Sequence, residues 1–388
     1  MRMKTPVGLV TAALAAAILF TVSFLIATGT RGEEPAFGSS AGELEVRTVA
    51  RGLVNPWALA FLSDGTMLVT ERPGRMRIVT SEGQVSPPLK GVPEVWASGQ
   101  GGLLDVAADK SYAQNNTVYF CFAERTGSGG RTAVARAKLD GGRGQLDEVK
   151  IIFRQQGPLS SGNHYGCRIA QADDGNLFVT LGEHFAARDH AQGLDNHLGK
   201  VIRIAPDGSV PAGNPFAGRA DARPEIWSYG HRNPQSLAIH PASGELWEIE
   251  HGPRGGDEVN LIGKGKNYGW PVIGYGIDYS GAKIHDATAK DGMEQPLKYW
   301  VPSIAPSGMA FYTGQLFPKW NGSLFTGALR GAMLVRLTLN GNAVTAEERL
   351  LENLHERIRD VRQGPDGALW LLTDSSNGRV LRVTPAAK

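Results

Sequence analysis

The chain has 388 residues, 41% of them hydrophobic, with 40 basic and 38 acidic side chains. Once Arg2 and Lys4 are assigned to an N-terminal export segment, basic and acidic residues balance at 38 each. No basic cluster remains, and this excludes a nucleic-acid partner. The apolar fraction excludes a disordered chain, and 50 glycines with 22 prolines predict many short strands joined by tight turns.

Arg2 and Lys4 precede a charge-free stretch from Thr5 to Thr30, whose core from Val7 to Ala27 is almost wholly apolar. A basic start followed by an apolar core is an export signature, and Ala27-Thr28-Gly29 offers small residues for cleavage. The run also reaches the length of about 20 residues that crosses a bilayer. Residues 1–30 therefore read as a signal peptide or an uncleaved anchor, the one membrane link expected, with residues 31–45 as a linker. No cysteine follows the run, which argues against a lipid-modified N-terminus. The body is expected outside the inner membrane, periplasmic or secreted. Cys121 and Cys167 could pair in such an oxidising compartment, although both lie in apolar runs that suit buried free thiols equally well.

From residue 46 the chain repeats itself. Ala58–Thr70 recurs as Arg168–Thr180, Ser236–Glu248 and Asp360–Leu372, with degenerate copies at Gly102–Phe120 and Gly308–Phe325. Each copy is an apolar strand, a turn built on Asp-Gly or its like, and a second strand rich in Leu, Val and aromatics. Further strands follow, such as Arg75–Thr80, Val201–Ala205, Met333–Leu339 and Arg379–Val383. Six copies at intervals of roughly 45 to 80 residues, with no long helical period, fit four-stranded blades arranged radially. The expected fold is all-β, a single six-bladed β-propeller over residues 46–385.

In a propeller, the loops entering the innermost strands line one mouth of the channel. Here they are Ser98–Gly102, Asn163-His164, Arg232-Asn233, Trp300–Ser307 and Arg357–Asp360, joined by His251–Glu258 and Gly327–Arg330. His164 stands out. An imidazole with a pKa near 6.5 can take a proton at neutral pH, although a histidine at the start of a strand can also simply be satisfied by backbone. Several arginines around one cavity repel each other unless an anion sits among them, and their planar forks match carboxylates. A polyanionic small molecule is therefore expected.

The motifs at these positions are Gly99-Gln-Gly-Gly-Leu-Leu104, Asn163-His-Tyr-Gly-Cys-Arg168, Trp227–Gln235 and His251–Asn260. They continue with Gly265-Lys-Asn-Tyr-Gly-Trp-Pro271, Ser307–Tyr312, Gly327-Ala-Leu-Arg330 and Arg357-Ile-Arg-Asp-Val361. In this order, and from about Val46 to Pro385, the chain resembles the soluble pyrroloquinoline quinone (PQQ)-dependent aldose sugar dehydrogenases. These are relatives of soluble glucose dehydrogenase, grouped as glucose/sorbosone dehydrogenases. The resemblance implies a six-bladed propeller that oxidises the C1 hydroxyl of aldoses to the lactone, with an external electron acceptor. His164 would be the general base that takes the hydroxyl proton while hydride leaves to the quinone.

The same resemblance implies that Gln100, Arg232 and Asn233 contact the cofactor, with Arg232 near its reactive edge. Arg357 and Arg359 would hold the PQQ carboxylates, and Tyr279 with Ala328, Leu329 and Arg330 would add contacts. The Gly252 and Pro253 carbonyls would bind a Ca²⁺ that also meets PQQ. Glu258 and the Tyr268 carbonyl would hold a second, structural Ca²⁺. Two positions depart from the pattern. Residue 330 is arginine where relatives often have lysine. Asn163 replaces the aspartate of soluble glucose dehydrogenases, which weakens the case for a carboxylate orienting His164.

Other candidates reduce to structure. His184, Asp189, His190 and His197 match no zinc-ligand spacing and read as a polar loop. Asp173-Asp174-Gly175 and Asp366-Gly367 read as turns, Glu71–Arg75 as a hairpin connection, and Trp57, Trp247 and Trp370 as packing between blades. The competing functions are a calcium-dependent lactone hydrolase or a propeller that only binds. The first would need acidic and amide side chains converging on the axis. The second has no use for His164 beside arginines.

Overall fold

The computed structural model describes residues 37–387 apart from residues 128 and 160. The expected signal or anchor segment and residues 31–36 of the expected linker lie outside the described residues, whereas the rest of that linker is not a linker, because Phe37–Ser39 and the chain from Gly42 onward are paired strands. Among the described residues, no helix is long and apolar enough to cross a membrane.

The chain begins with β1 (Phe37–Ser39) and β2 (Gly42–Leu53). Blade one is β3 (Pro56–Phe61), β4 (Met67–Glu71) and β5 (Arg75–Val79). Blade two is β6 (Leu103–Ala108), β7 (Thr117–Arg125), β8 (Gly130–Asp140) and β9 (Gln145–Arg154). Blade three is β10 (Gly166–Gln171), β11 (Leu177–Leu181), β12 (Lys200–Ile204) and β13 (Ile226–Tyr229). Blade four is β14 (Pro234–Ile239), β15 (Leu246–Glu250), β16 (Asp257–Ile262) and β17 (Lys298–Trp300). Blade five is β18 (Pro306–Phe311), β19 (Leu324–Ala328), β20 (Met333–Asn340) and β21 (Ala343–Leu350). Blade six is β22 (Ile358–Gln363), β23 (Leu369–Thr373) and β24 (Gly378–Pro385).

Every blade is an antiparallel meander, and each repeat seen in the sequence is the first hairpin of a blade. The turns are tight because Gly65, Gly175, Gly244 and Gly367 take φ between +73° and +82°, which costs a glycine little. The first strands neighbour one another in a ring, β3 to β6, β10, β14, β18, β22 and back to β3. β2 pairs with β24, Val46 opposite Val383, so the start of the chain completes the last blade. This closure ties the two ends together and covers a sheet edge.

Blade one departs from the expected four strands. Pro87, Pro88 and Pro93 lie in the stretch after β5, and a residue without an N–H cannot carry a ladder. Isolated bridges from Val79 to Val85 and from Lys90 to Gln145 form there in place of a fourth strand.

Neighbouring blades pack through their sheet faces. Trp247 meets Phe311 edge-on at 5.6 Å and Trp370 meets Phe61 at 5.5 Å, as the packing role predicted. Cys121 on β7 and Cys167 on β10 are joined in a disulfide that links blades two and three. The axis is sealed by charge. Arg168 lies 3.0 Å from Asp105 and 2.9 Å from Asp360, and it also donates to the Gln235 carbonyl (2.8 Å). These three partners thus tie the first strands of blades two, four and six to that of blade three. Breaking such a buried pair costs about 3–5 kcal/mol.

Candidate active site

In each blade the first strand starts at one mouth of the ring and the second strand ends there. Loops before the first strand and loops after the second therefore share this mouth. The loop before β10 carries His164 in the left-handed region, at φ +53°. Its backbone N–H donates to Gln100 Oε1 (2.8 Å), and its carbonyl accepts from the His184 N–H (3.3 Å). The ring is buried, with Phe185 edge-on at 5.2 Å and Nδ1 3.1 Å from Glu183 Oε1. Burial and the nearby Arg232 charge push the His164 pKa down, against the pull of Glu183. A carboxylate accepting from Nδ1–H leaves the lone pair on Nε2. The expectation drawn from Asn163 is corrected here. The orienting carboxylate exists, and it comes from the loop after β11 instead of from residue 163.

Arg232 and Asn233 enter β14 and are both buried. Their backbone N–H groups donate to Glu250 Oε2 at 2.5 and 3.3 Å. The Arg232 guanidinium reaches the His251 and Gly252 carbonyls (2.9 and 3.0 Å) and lies 5.2 Å from the Trp270 ring. Asn233 Oδ1 accepts from the Gly166 N–H at 3.3 Å and from Gln235 Nε2 at 3.2 Å. Together these bonds tie the His164 loop to blade four.

Beside them opens a pocket of about 500 Å³ whose wall includes Arg72, Gln100, Asn233, Arg357 and Arg359. Asp374 is its one carboxylate, 2.8 Å from Arg357 and 3.5 Å from Arg359. Burial acts to raise the Asp374 pKa, but the two arginines prevail and hold it below the usual range. Burial, with repulsion from Arg168 and Arg357, pushes Arg359 down to about 10, so it stays charged at neutral pH. Its Nε is buried without a hydrogen-bond partner. Trp57 forms part of the wall, 5.6 Å from Arg359 and 4.2 Å from Arg168. The packing role expected for Trp57 is therefore incomplete, because its ring also carries two guanidinium groups. Three guanidinium groups facing one carboxylate, with a donor left over, suit a ligand that bears several carboxylates, as PQQ does.

The implied calcium residues converge. Gly252, Pro253, Glu258 and Tyr268 all border one small cavity of about 20 Å³, with Arg232 and Glu250. Behind it, Glu250 lies opposite Glu258 across the β15–β16 pair and Glu248 lies opposite Asn260. Burial, then repulsion from Glu250, pushes the Glu248 and Glu258 pKa values well up. Glu248 Oε1 and Asn260 Oδ1 are buried without partners. Clustered carboxylates, free amide oxygen and backbone carbonyls make an all-oxygen donor set that fits Ca²⁺. His231, Glu248 and Glu250 also bring ligand atoms within 4.8 Å of one another.

The remaining candidates sit apart. Leu329 borders the arginine pocket and its carbonyl accepts from Arg357 at 3.3 Å, whereas Ala328 is buried in the strand behind it. The Arg330 side chain is exposed and does not border that pocket. Tyr279 is 56% exposed and borders a separate cleft of about 330 Å³, with Phe185, Arg188 and Arg232. His184 and His197 turn to Gln155 (2.8 Å) and Glu225 (3.3 Å), so no zinc site gathers there. Arg72, Glu183, Gln235 and Asp374 escaped the sequence reading, although three of them follow the second strand of a blade.

A propeller that sets a carboxylate-held histidine and a cationic pocket on one mouth is equipped to bind a small polyanion beside a proton acceptor. The glucose/sorbosone dehydrogenase family pattern matches residues 53–382. Aldose sugar dehydrogenase YliI of Escherichia coli (strain K12) is 46% identical over 355 residues, 90% of this chain and 95% of that protein. The crystal structure of the soluble E. coli aldose sugar dehydrogenase in its apo form superposes with a TM-score of 0.86 at 45% identity, covering 88% of this chain and 100% of that one. The PQQ-bound form of the aldose sugar dehydrogenase from Streptomyces coelicolor gives a TM-score of 0.73 at 32% identity, covering 88% and 98%. The chain belongs to the glucose/sorbosone dehydrogenase family.

Proposed function

We propose that the protein is a PQQ- and calcium-dependent aldose dehydrogenase that oxidises the C1 hydroxyl of a sugar to the lactone and passes electrons to an external acceptor. The observation that carries this reading is a single mouth holding both the His164–Glu183 pair and a pocket with three arginines to one carboxylate. The PQQ-bound relative from Streptomyces supports the choice of anion. When bound, PQQ would supply a quinone that accepts the two electrons of the oxidation as a hydride, and Ca²⁺ would supply a Lewis acid.

The chain's own residues do the rest. Arg357 and Arg359 bind carboxylates by charge-assisted hydrogen bonds, and Trp57 backs their guanidinium planes. Glu183 fixes the His164 ring, so that Nε2 takes the C1 hydroxyl proton. Burial keeps that ring neutral and ready to accept. Arg232 braces the Gly252 carbonyl and, through Glu250, the loop that enters β14. Gly252, Pro253, Glu258 and Tyr268 offer oxygens to calcium. Gln100 holds the backbone of His164 itself.

A hydrolase reading finds less support. The axial carboxylates Asp105 and Asp360 are taken by Arg168 and Arg362, and the glutamate cluster lies within blade four. Purified protein is expected to reduce a dye with aldoses only after PQQ and Ca²⁺ are added. Activity with NAD in place of PQQ, or lactone hydrolysis independent of aldose, would overturn the proposal. Residues 1–30 are proposed to export or anchor the chain. Mass spectrometry of the mature N-terminus distinguishes cleavage near Gly29 from retention, and an intact cytoplasmic chain would refute both.

A further inference from the structure

His251 immediately follows β15 and is held at three points. Its backbone N–H donates to the Asn233 carbonyl (3.2 Å), and its carbonyl accepts from Arg232 (2.9 Å). Its ring Nε2 lies 2.6 Å from the Pro306 carbonyl at the start of blade five. A carbonyl can only accept, so Nε2 carries the proton and the neutral ring has its lone pair on Nδ1. His251 borders both the arginine pocket and the small oxygen-lined cavity, so it stands in the partition between them.

The other polar groups on the pocket wall differ from it. Arg72, Arg357 and Arg359 can only donate. Most of the potential acceptors are already engaged within the protein. Gln100 Oε1 takes the His164 N–H, Asn233 Oδ1 takes Gly166 and Gln235, and Gln235 Oε1 takes Arg359. Asp374 is held by Arg357 and Arg359. Of the acceptors left over, Asn55 Oδ1 sits on an amide that also donates and the Tyr165 hydroxyl can itself donate, whereas Nδ1 of His251 is a pure acceptor on a residue held at three points. A wall of donors would take any polycarboxylate of suitable size. A fixed acceptor among them selects one that also carries a donor.

We propose that His251 is a ligand-reading residue whose Nδ1 accepts a hydrogen bond from the pyrrole N–H of PQQ, giving the pocket selectivity for a polycarboxylate that bears a ring N–H. This rests on the PQQ reading above. Three-point bracing makes the acceptor rigid before the ligand arrives, which is what selectivity by one hydrogen bond requires. A site built to pair a donor rejects an analogue that lacks it, because the buried acceptor is then left without a partner.

The test is a two-by-two binding titration on the purified, metal-loaded apoprotein, followed by ligand absorbance and quenching of protein fluorescence. The ligands are PQQ and its isostere with a furan oxygen in place of the pyrrole N–H, and the proteins are wild type and His251→Gln. Glutamine keeps a donor for the Pro306 carbonyl and removes the Nδ1 acceptor. Wild type is expected to prefer PQQ over the furan by at least about fivefold, the scale of one hydrogen bond. His251→Gln should lose most of that preference while binding the furan as wild type does. His251→Asn, which returns an amide oxygen near the Nδ1 position, should restore part of it. Equal preference in wild type and His251→Gln overturns the inference and leaves the PQQ reading intact. Failure of wild type to bind either ligand overturns both. Melting curves of each variant identify loss of fold as the cause of any weak binding.

Discussion

The two sides of the mouth answer burial in different ways. On the side built by blades three and four, burial holds the His164 pKa low and pushes His184 down to about 4 and His251 to about 3. On the side built by blades six and one, Arg359 falls only to about 10. An imidazole starts near 6.5, within reach of desolvation, whereas a guanidinium starts above 12 and keeps its proton. One side therefore becomes a set of neutral acceptors and the other a set of fixed cations. Arg232 is the exception, a cation on the histidine side, and its charge helps to keep its neighbours neutral. The fold thus separates proton chemistry from anion binding through the intrinsic pKa of the groups it places on each side.

If the division is real, each side should fail in its own way. The largest effect is expected from His164→Gln in the reconstituted enzyme. Glutamine keeps a hydrogen bond to Glu183 but cannot take the hydroxyl proton, so turnover should fall about 10²–10⁴-fold. PQQ affinity, measured by titration, should change little. Near-normal turnover would reduce His164 to a strand-starting residue. Arg357→Ala with Arg359→Ala should do the reverse. Each charge-assisted hydrogen bond is worth about 1.5–3 kcal/mol, so PQQ affinity should drop by about 10²-fold or more while saturated turnover suffers less. An unchanged affinity would remove the arginine pocket from cofactor binding. Glu258→Gln probes the oxygen-lined cavity of blade four. It should weaken Ca²⁺ binding, read by calorimetry, by about tenfold, with a smaller effect on PQQ bound at saturating calcium.

The fold was legible because each blade must begin with a tight hairpin, and Asp64-Gly65, Asp174-Gly175 and Asp366-Gly367 mark three of them. The third strands and the closure by β2 left no such mark, since pairing between Val46 and Val383 depends on the whole ring. For the site, loops before the first strands gave Gln100, His164, Arg232 and Arg357. The mirror positions after second strands were less legible. Gly327–Arg330 and His251 were noticed there, whereas Arg72, Glu183 and Asp374 were not. Asn55, which also borders the arginine pocket, precedes β3 just as His164 precedes β10, and the same rule reaches it. Glu248 and Glu250 of blade four were hidden for another reason. Glu250 facing Glu258 is a matter of strand register, which a sequence without its partner strand does not display.

The smallest expected effect separates the two sides by pH. His184 is fully buried, donates from Nε2 to Gln155 Oε1 (2.8 Å), and lies edge-on to Tyr165 at 4.9 Å. Its folded pKa of about 4 lies below the unfolded value of 6.5, and burial is the main cause. Between these values the unfolded chain binds more protons than the folded one, so stability is lost as pH falls from about 6.5 towards 4. At most about 3 kcal/mol is at stake for this one group. The arginine side has a different window. Asp374 has its pKa held below 3.8, so its contribution is lost only as pH falls beneath that value. His164 and His251 also titrate downward, so the informative quantity is the difference between proteins. His184→Gln removes one titrating group and keeps an amide for Gln155. Its melting temperature should therefore lie closer to that of wild type at pH 4.5 than at pH 7.5, because the variant escapes part of the acid penalty. Melting curves at the two pH values check this. An equal gap at both would mean that His184 is already free to take up a proton in the folded state, and the contrast between the two sides would rest on His164 and His251 alone.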